Sequence, residues 1–193
     1  SGVVDQTQAA EDVRNELYAR DRLINELERG IRERIVVHLA LGNRQDASMC
    51  LVLMSVVKDA ERVGDYCKNL FEIGQFFKSR YQRGEYSEPL RDMCCQIDGL
   101  FPRIRDAFMD GDHLAAEKGI VDCLKIRHRC DLIIEQLLSP GTTGPIDEAV
   151  AFTLRTRFHK RVTSHLANIA TSITNPVPMI DYHRGQPLDE PGK

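Results

Sequence analysis

KDAERVGDYCKNL, residues 58–70, decides the fold. Its apolar and small positions, Ala60, Val63, Gly64, Cys67 and Leu70, recur at the three- and four-residue spacing of a helix face, without the alternation a strand requires. The stripe continues back through Leu53, Val56 and Val57 and forward to Phe71 and Gly74, predicting one long helix from about Asp46 to Arg83. Gly64 on that stripe lets another helix come close, at a propensity cost of about 1 kcal/mol. Glu61 and Asp65 stand one turn apart beside it.

The same period runs through the rest of the chain. Val13, Leu17, Ile24, Leu27, Ile31 and Ile35 predict a first helix from Val4 to about Leu41, ended by Gly42 and Asn43. Pro89 to about Asp110 is a third helical segment, in which Pro102 either kinks the helix or begins a new one. His113–Leu138 is the fourth, broken by SPGTTGP, and a fifth runs from Ile146 to about Thr174. The tail 176–193 holds four of the eight prolines and is expected to be flexible. The fold class is all-α: about five long helices on short loops, packed as an antiparallel bundle.

With 193 residues, 42% hydrophobic and 28% charged, the chain is long enough for a substantial core. Its longest nearly apolar run, CLVLMSVV, is far short of the roughly 18 residues of a membrane span. A net charge of −3 gives no basic excess for nucleic acid, so none is expected as a partner. Six cysteines without CxxC spacing predict reduced, partly buried thiols in a cytoplasmic protein. No secretory signal pattern is read, and the opening Ser1–Gly2 without methionine resembles a cleaved-tag remnant, so native upstream sequence is expected.

The chain echoes itself. ERVGDYCKN (61–69) lies over KRVTSHLAN (160–168), and RDRLINELE (20–28) over RHRCDLIIE (127–135). KDAERVGDYCKNL, preceded one helix earlier by DRLINELERGI, resembles the PhoU family of phosphate-signalling proteins. The resemblance spans roughly residues 10–175 and implies two PhoU-like repeats, 3–84 without its first helix and 88–175 complete, followed by the tail. It further implies a cytoplasmic, non-enzymatic regulator of phosphate uptake, often a homodimer, that contacts a phosphate transporter and/or a sensor kinase. It also implies a transition metal, iron, zinc or nickel, bound at an E-x-x-x-D motif. One locus per chain is expected, because Lys160 and Ser164 replace the acids in the second copy.

Glu61 and Asp65 are then the first metal candidates. Asp21, Asn25 and Glu28 form a similar stripe on the first helix that could add oxygens, with Asp21 and Glu28 taken as the further ligands. Spacing alone equally allows a solvated face on which Glu61 pairs with Lys58 and Asp65 with Lys68. On a wheel centred on Ala60, Asp59 falls on the surface, and Asn69 and Asn168 are given no ligand role. His128, His159 and His165 beside Cys130 suggest a softer site, against which His159 maps to the core stripe as a buried, hydrogen-bonded imidazole. There is no GxSxG, P-loop, HExxH or di-iron ExxH, so no catalytic machinery is read.

Between Phe152 and Asn168 the chain carries Arg155, Arg157, Lys160 and Arg161 and no acid. Such a patch is ordinary solvated surface or a docking face for an acidic partner or the anionic inner membrane leaflet. Two function readings follow: a free-standing PhoU-like regulator, or the cytoplasmic regulatory domain of a phosphate or cation transporter.

Overall fold

The computed structural model describes residues 2–77, 84–140 and 144–182, and within these the side chains of 2–9 and 84–86 are left aside. Five α-helices account for nearly all of it: α1 Gly2–Ala40, α2 Ala47–Phe76, α3 Gly84–Asp110, α4 His113–Leu138 and α5 Ile146–Thr174. No strand occurs among the described residues. The all-α bundle expected from the periodicity is the fold.

Short connections set the helices antiparallel. Gly42 after α1 and Gly111 after α3 adopt positive φ, +96° and +64°, where a residue with a Cβ is strained. Asp112 then caps α4, its carboxylate accepting from the Ala115 amide at 3.0 Å. The first helix stops at its expected end; α2 ends at Phe76, short of the expected Arg83, with Phe77 as its cap and 78–83 outside the described residues. Two expectations need correcting. The third helix begins at Gly84, five residues ahead of Pro89, and runs unbroken through Pro102. The tail does not leave the bundle at Pro176: Val177–Met179 is a 3₁₀ turn, the Asn175 amide donates to Met179 O and Tyr182 O at 2.9 and 2.8 Å, and the Asp181 amide donates to Thr171 Oγ1 at 3.1 Å. Residues 183–193 of the predicted tail lie outside the described set.

The core is centred on α3, α4 and α5, where Met93, Leu100, Cys123, Cys130, Val162 and Ala167 are fully or almost fully buried. The second helix packs on α5 by one face and on α1 by another. That double engagement overturns the wheel centred on Ala60: Ala60 is exposed, and Asp59 next to it is buried at 1% exposure. The first helix touches the body along one side only. Leu17, Ile24 and Ile31 are half-buried and Ile35 buried, but Val13 and Leu27, expected in the same stripe, stand more than half exposed.

The α2–α5 seam is pseudo-symmetric. His165 Nδ1 meets Asp59 Oδ1 at 2.7 Å near one end, and the rings of Tyr66 and Phe158 lie 5.8 Å apart near the other. Asp59 and Phe158 are 99 residues apart, as are Tyr66 and His165. These two contacts are one contact seen from both helices, the geometry expected where 61–69 and 160–168 descend from one unit.

Candidate functional site

The acids singled out in the sequence gather on the seam between α1 and α2. Antiparallel packing sets Tyr18 opposite Glu72, with the phenol donating to Glu72 Oε1 at 2.5 Å, then Asp21 opposite Lys68, Ile24 opposite Gly64 and Glu28 beside Glu61. Gly64 does what its place on the stripe implies: a Cβ there would lie 3.2 Å from Ile24 Cδ1, so a larger residue would push α1 outward.

Each acid already has a cation. Lys68 Nζ bridges the helices, 3.0 Å from Asp21 Oδ1 and 3.3 Å from Asp65 Oδ1. Arg62 reaches Asp65 at 3.4 Å and Glu61 at 3.7 Å, and Arg32 holds Glu28 at 2.9 Å. Lys58, the partner expected for Glu61, turns instead to Asp181 at 3.8 Å. Burial, and after it the neighbouring Asp65 carboxylate, push the Glu61 carboxyl above its ordinary range. The hydrogen bond to Asp21 raises Lys68 in turn, so this ammonium stays charged. Asn25 donates to the Asp21 carbonyl at 3.0 Å, spending its amide on its own helix.

The structure thus brings Glu61, Asp65, Asp21 and Glu28 to one seam. A metal centre needs several oxygens converging on one point. Among the described residues no group of three or more His, Cys, Asp or Glu is placed to hold a metal ion. As paired here, the four acids do not fit a metal; a lysine ammonium stands between two of them.

Behind this seam is a polar group the sequence did not disclose. Asp59, read as a surface residue, accepts from His165 at 2.7 Å and from the Asn168 amide at 3.4 Å, and His165 stacks on Tyr66 at 5.6 Å between centroids. Its partners are more than 100 positions away in sequence, beyond any local pattern. The available signal was the inner face of α5, where Thr156, His159, Thr163, Asn168 and Thr171 are too polar for a purely apolar stripe. A buried carboxylate so held orients the imidazole and fixes α2 against α5.

The other histidines do not assemble. His128 is exposed, His165 belongs to Asp59, and His159 is buried with Nε2 3.3 Å from Cys94 Sγ, which removes the soft site imagined around Cys130. Burial, with Arg155 nearby, lowers His159 to about 4, so it is neutral at pH 7. Cys50, Cys123 and Cys130 are buried and burial pushes the latter two thiols up to about 12, whereas Cys94 and Cys95 are exposed.

The basic stretch of α5 does not form one patch. Lys160 pairs with Asp131 of α4, and Arg155 is half-buried beside Gly74, its guanidinium 3.3 Å from where a Cβ would stand. Arg157 and Arg161, one turn apart, are the two that are exposed.

A cleft of about 390 Å³ opens next to the acidic seam, with Leu17 and Ile24 of α1 and Phe101 and Ile104 of α3 as walls and Gly64, Cys67 and Leu166 among its floor. Its lining is almost wholly apolar.

Residues 5–74, which hold most of α1 and α2 and every acid of the seam, match the family model described as PhoU domain. Over these residues the chain is similar to a PhoU domain. No curated protein matches the sequence. Among solved structures, the phosphate transport system regulatory protein PhoU from Streptococcus pneumoniae is similar over 89% of this chain and 82% of its own, with a TM-score of 0.73 and 16% identity. The PhoU match by sequence covers the first helical pair, and the likeness by structure extends the same bundle through α3–α5. No described helix is long and apolar enough to cross a membrane.

Proposed function

We propose that the chain is a non-enzymatic, cytoplasmic PhoU-type regulator of phosphate transport and phosphate signalling, acting by docking on a phosphate transporter and/or a sensor kinase. The observation that carries this reading is the PhoU domain on α1 and α2, set in a bundle shared over 89% of the chain with a phosphate transport regulator. The non-enzymatic part is supported by the sequence, which offers no nucleophile or metal-hydrolase motif.

The docking part is supported by Arg157 and Arg161, exposed one turn apart on α5 while Lys160 and Arg155 are engaged inside the bundle. Rim charges of this kind set association rate and salt dependence more than affinity, so an acidic partner, or the anionic inner leaflet beside a transporter, is the matching surface. Nothing in the reading passes through a metal.

The test is phosphate uptake and phosphate-responsive transcription in cells lacking the gene. Restoring the chain should restore both, and Arg157→Glu with Arg161→Glu should fail to do so with folded protein present. A deletion strain whose phosphate response equals the parent's removes the reading altogether. Full rescue by the charge-reversed variant would move the docking surface elsewhere.

A further inference from the structure

The cleft beside the acidic seam exists because three residues of α2 are small. The pseudo-twofold of the α2–α5 seam relates positions 99 apart, and it sets the floor residues Ala60, Gly64 and Cys67 in correspondence with His159, Thr163 and Leu166 of α5. Each is smaller than its counterpart. In the second half the three larger residues are buried, and His159 reaches Cys94 of α3. In the first half Ala60 is exposed, Gly64 and Cys67 are half-buried, and the space that larger side chains fill in the duplicate is part of a cleft of about 390 Å³.

The walls, Leu17 and Ile24 of α1 and Phe101 and Ile104 of α3, are as apolar as the floor. Charge is confined to the rim. Arg20 of α1 and Arg105 of α3 also line the cleft, yet hardly any of the lining is polar, so they contribute their methylenes and hold their guanidiniums in water. Their side chains are 72% and 69% exposed, and each pairs with an exposed acid of its own helix, Glu16 at 2.6 Å and Asp106 at 2.7 Å. Exposed pairs of this kind contribute little, so either guanidinium can exchange its acid for the anion of a ligand. Asp21, the acid of the lining, has its charge met by Lys68 at 3.0 Å.

An occupant that matches this site is apolar along its length and negative at one end. The volume lies at the low end of the range of small-ligand sites, which suits one hydrocarbon chain and not the two of a phospholipid.

We propose that the cleft is a binding site for a single-chain fatty acid, its tail lodged between α1 and α3 over Gly64 and its carboxylate held at the rim by the guanidiniums of Arg20 and Arg105. The proposal does not depend on the phosphate reading.

The experiment titrates the 193-residue chain with dodecanoate by calorimetry and follows alkylation of Cys67 by iodoacetamide in the same mixtures, with circular dichroism as the control for folding. Dodecanoate should bind once per chain with a dissociation constant of roughly 1–100 μM. Near saturation it should slow alkylation of Cys67 at least about fivefold while leaving the exposed Cys95 unchanged. Dodecyltrimethylammonium, with the same tail and the opposite charge, should bind at least about tenfold more weakly. Arg20→Glu with Arg105→Glu should reverse that preference. Ala60→Phe, at an exposed position of the floor, should weaken both ligands at least about tenfold by filling the cleft. Dodecanoate that fails to saturate below about 1 mM overturns the proposal, as does a Cys67 that dodecanoate leaves as reactive as before. So does a charge reversal or an Ala60→Phe that changes neither affinity, or protection of Cys67 that phosphatidylglycerol vesicles give and dodecanoate does not.

Discussion

His159 makes the bundle acid-sensitive by a calculable amount. The imidazole is 5% exposed, its Nε2 faces Cys94 Sγ at 3.3 Å, and its Nδ1 has no hydrogen-bond partner. Burial, then the charge of Arg155, hold it near 4 against the raising influence of Asp98, whereas an unfolded histidine titrates at about 6.5. As pH falls through this interval the unfolded chain takes up a proton that the folded chain refuses. Stability therefore drops with falling pH, by up to about 1.4 kcal/mol per unit. Between about pH 6.5 and about pH 4.5 this one group should cost about 2 kcal/mol. Glu61 acts in the opposite sense, because a carboxyl raised by burial loses stability as pH rises through its titration, but it is common to wild type and variant. Urea unfolding of wild type and His159→Leu at both pH values isolates the histidine as the difference of two differences. The variant should lose about 2 kcal/mol less than the wild type over the interval. Equal losses would refute the reasoning and mean that the folded state admits the proton.

Asp59→Ala strips His165 and Asn168 of their buried acceptor and should cost about 2–4 kcal/mol, because one member of a buried polar pair is left without the other. Calorimetry should place its melting point roughly 5–12 °C below wild type, and a fall under about 3 °C would mean that Asp59 is dispensable. Lys68→Met releases Asp21 and Asp65 from their shared ammonium. Zinc or nickel affinity by titration calorimetry should rise at least about tenfold in the variant, through removal of one local positive charge. Equal, negligible binding by both proteins would leave the seam purely an ion-pair contact between α1 and α2.

The bundle was legible in the sequence where one helix has one buried side. The end of α4 and the start of α5 follow from the breaker SPGTTGP, a local signal. Legibility ended where a helix has two neighbours. With α1 on one side and α5 on the other, α2 has no single inward direction, so a wheel centred on Ala60 placed Asp59 outside. That Glu61, Asp65, Asp21 and Glu28 share one seam was legible, because their spacing places them on facing stripes. The role of Lys68 as their bridge was not, since that depends on the registry of α1 along α2. Arg155 and Lys160 were misread for a related reason: a run without acids hides cations that meet their acids on another helix, as Lys160 does with Asp131.

The two matched contacts across α2 and α5 are equal in position and unlike in substance, a carboxylate–imidazole pair in one and two aromatic rings in the other. Were both alike, either half could pair with its own duplicate, and neighbouring chains during synthesis could trade halves. With Asp59 satisfying His165 and Tyr66 facing Phe158, α2 against a copy of itself would set Asp59 against Tyr66 in both places, and α5 against its copy would set Phe158 against His165. Of the three possible pairings, only α2 with α5 keeps the carboxylate–imidazole bond, so the divergence favours the complement over the twin.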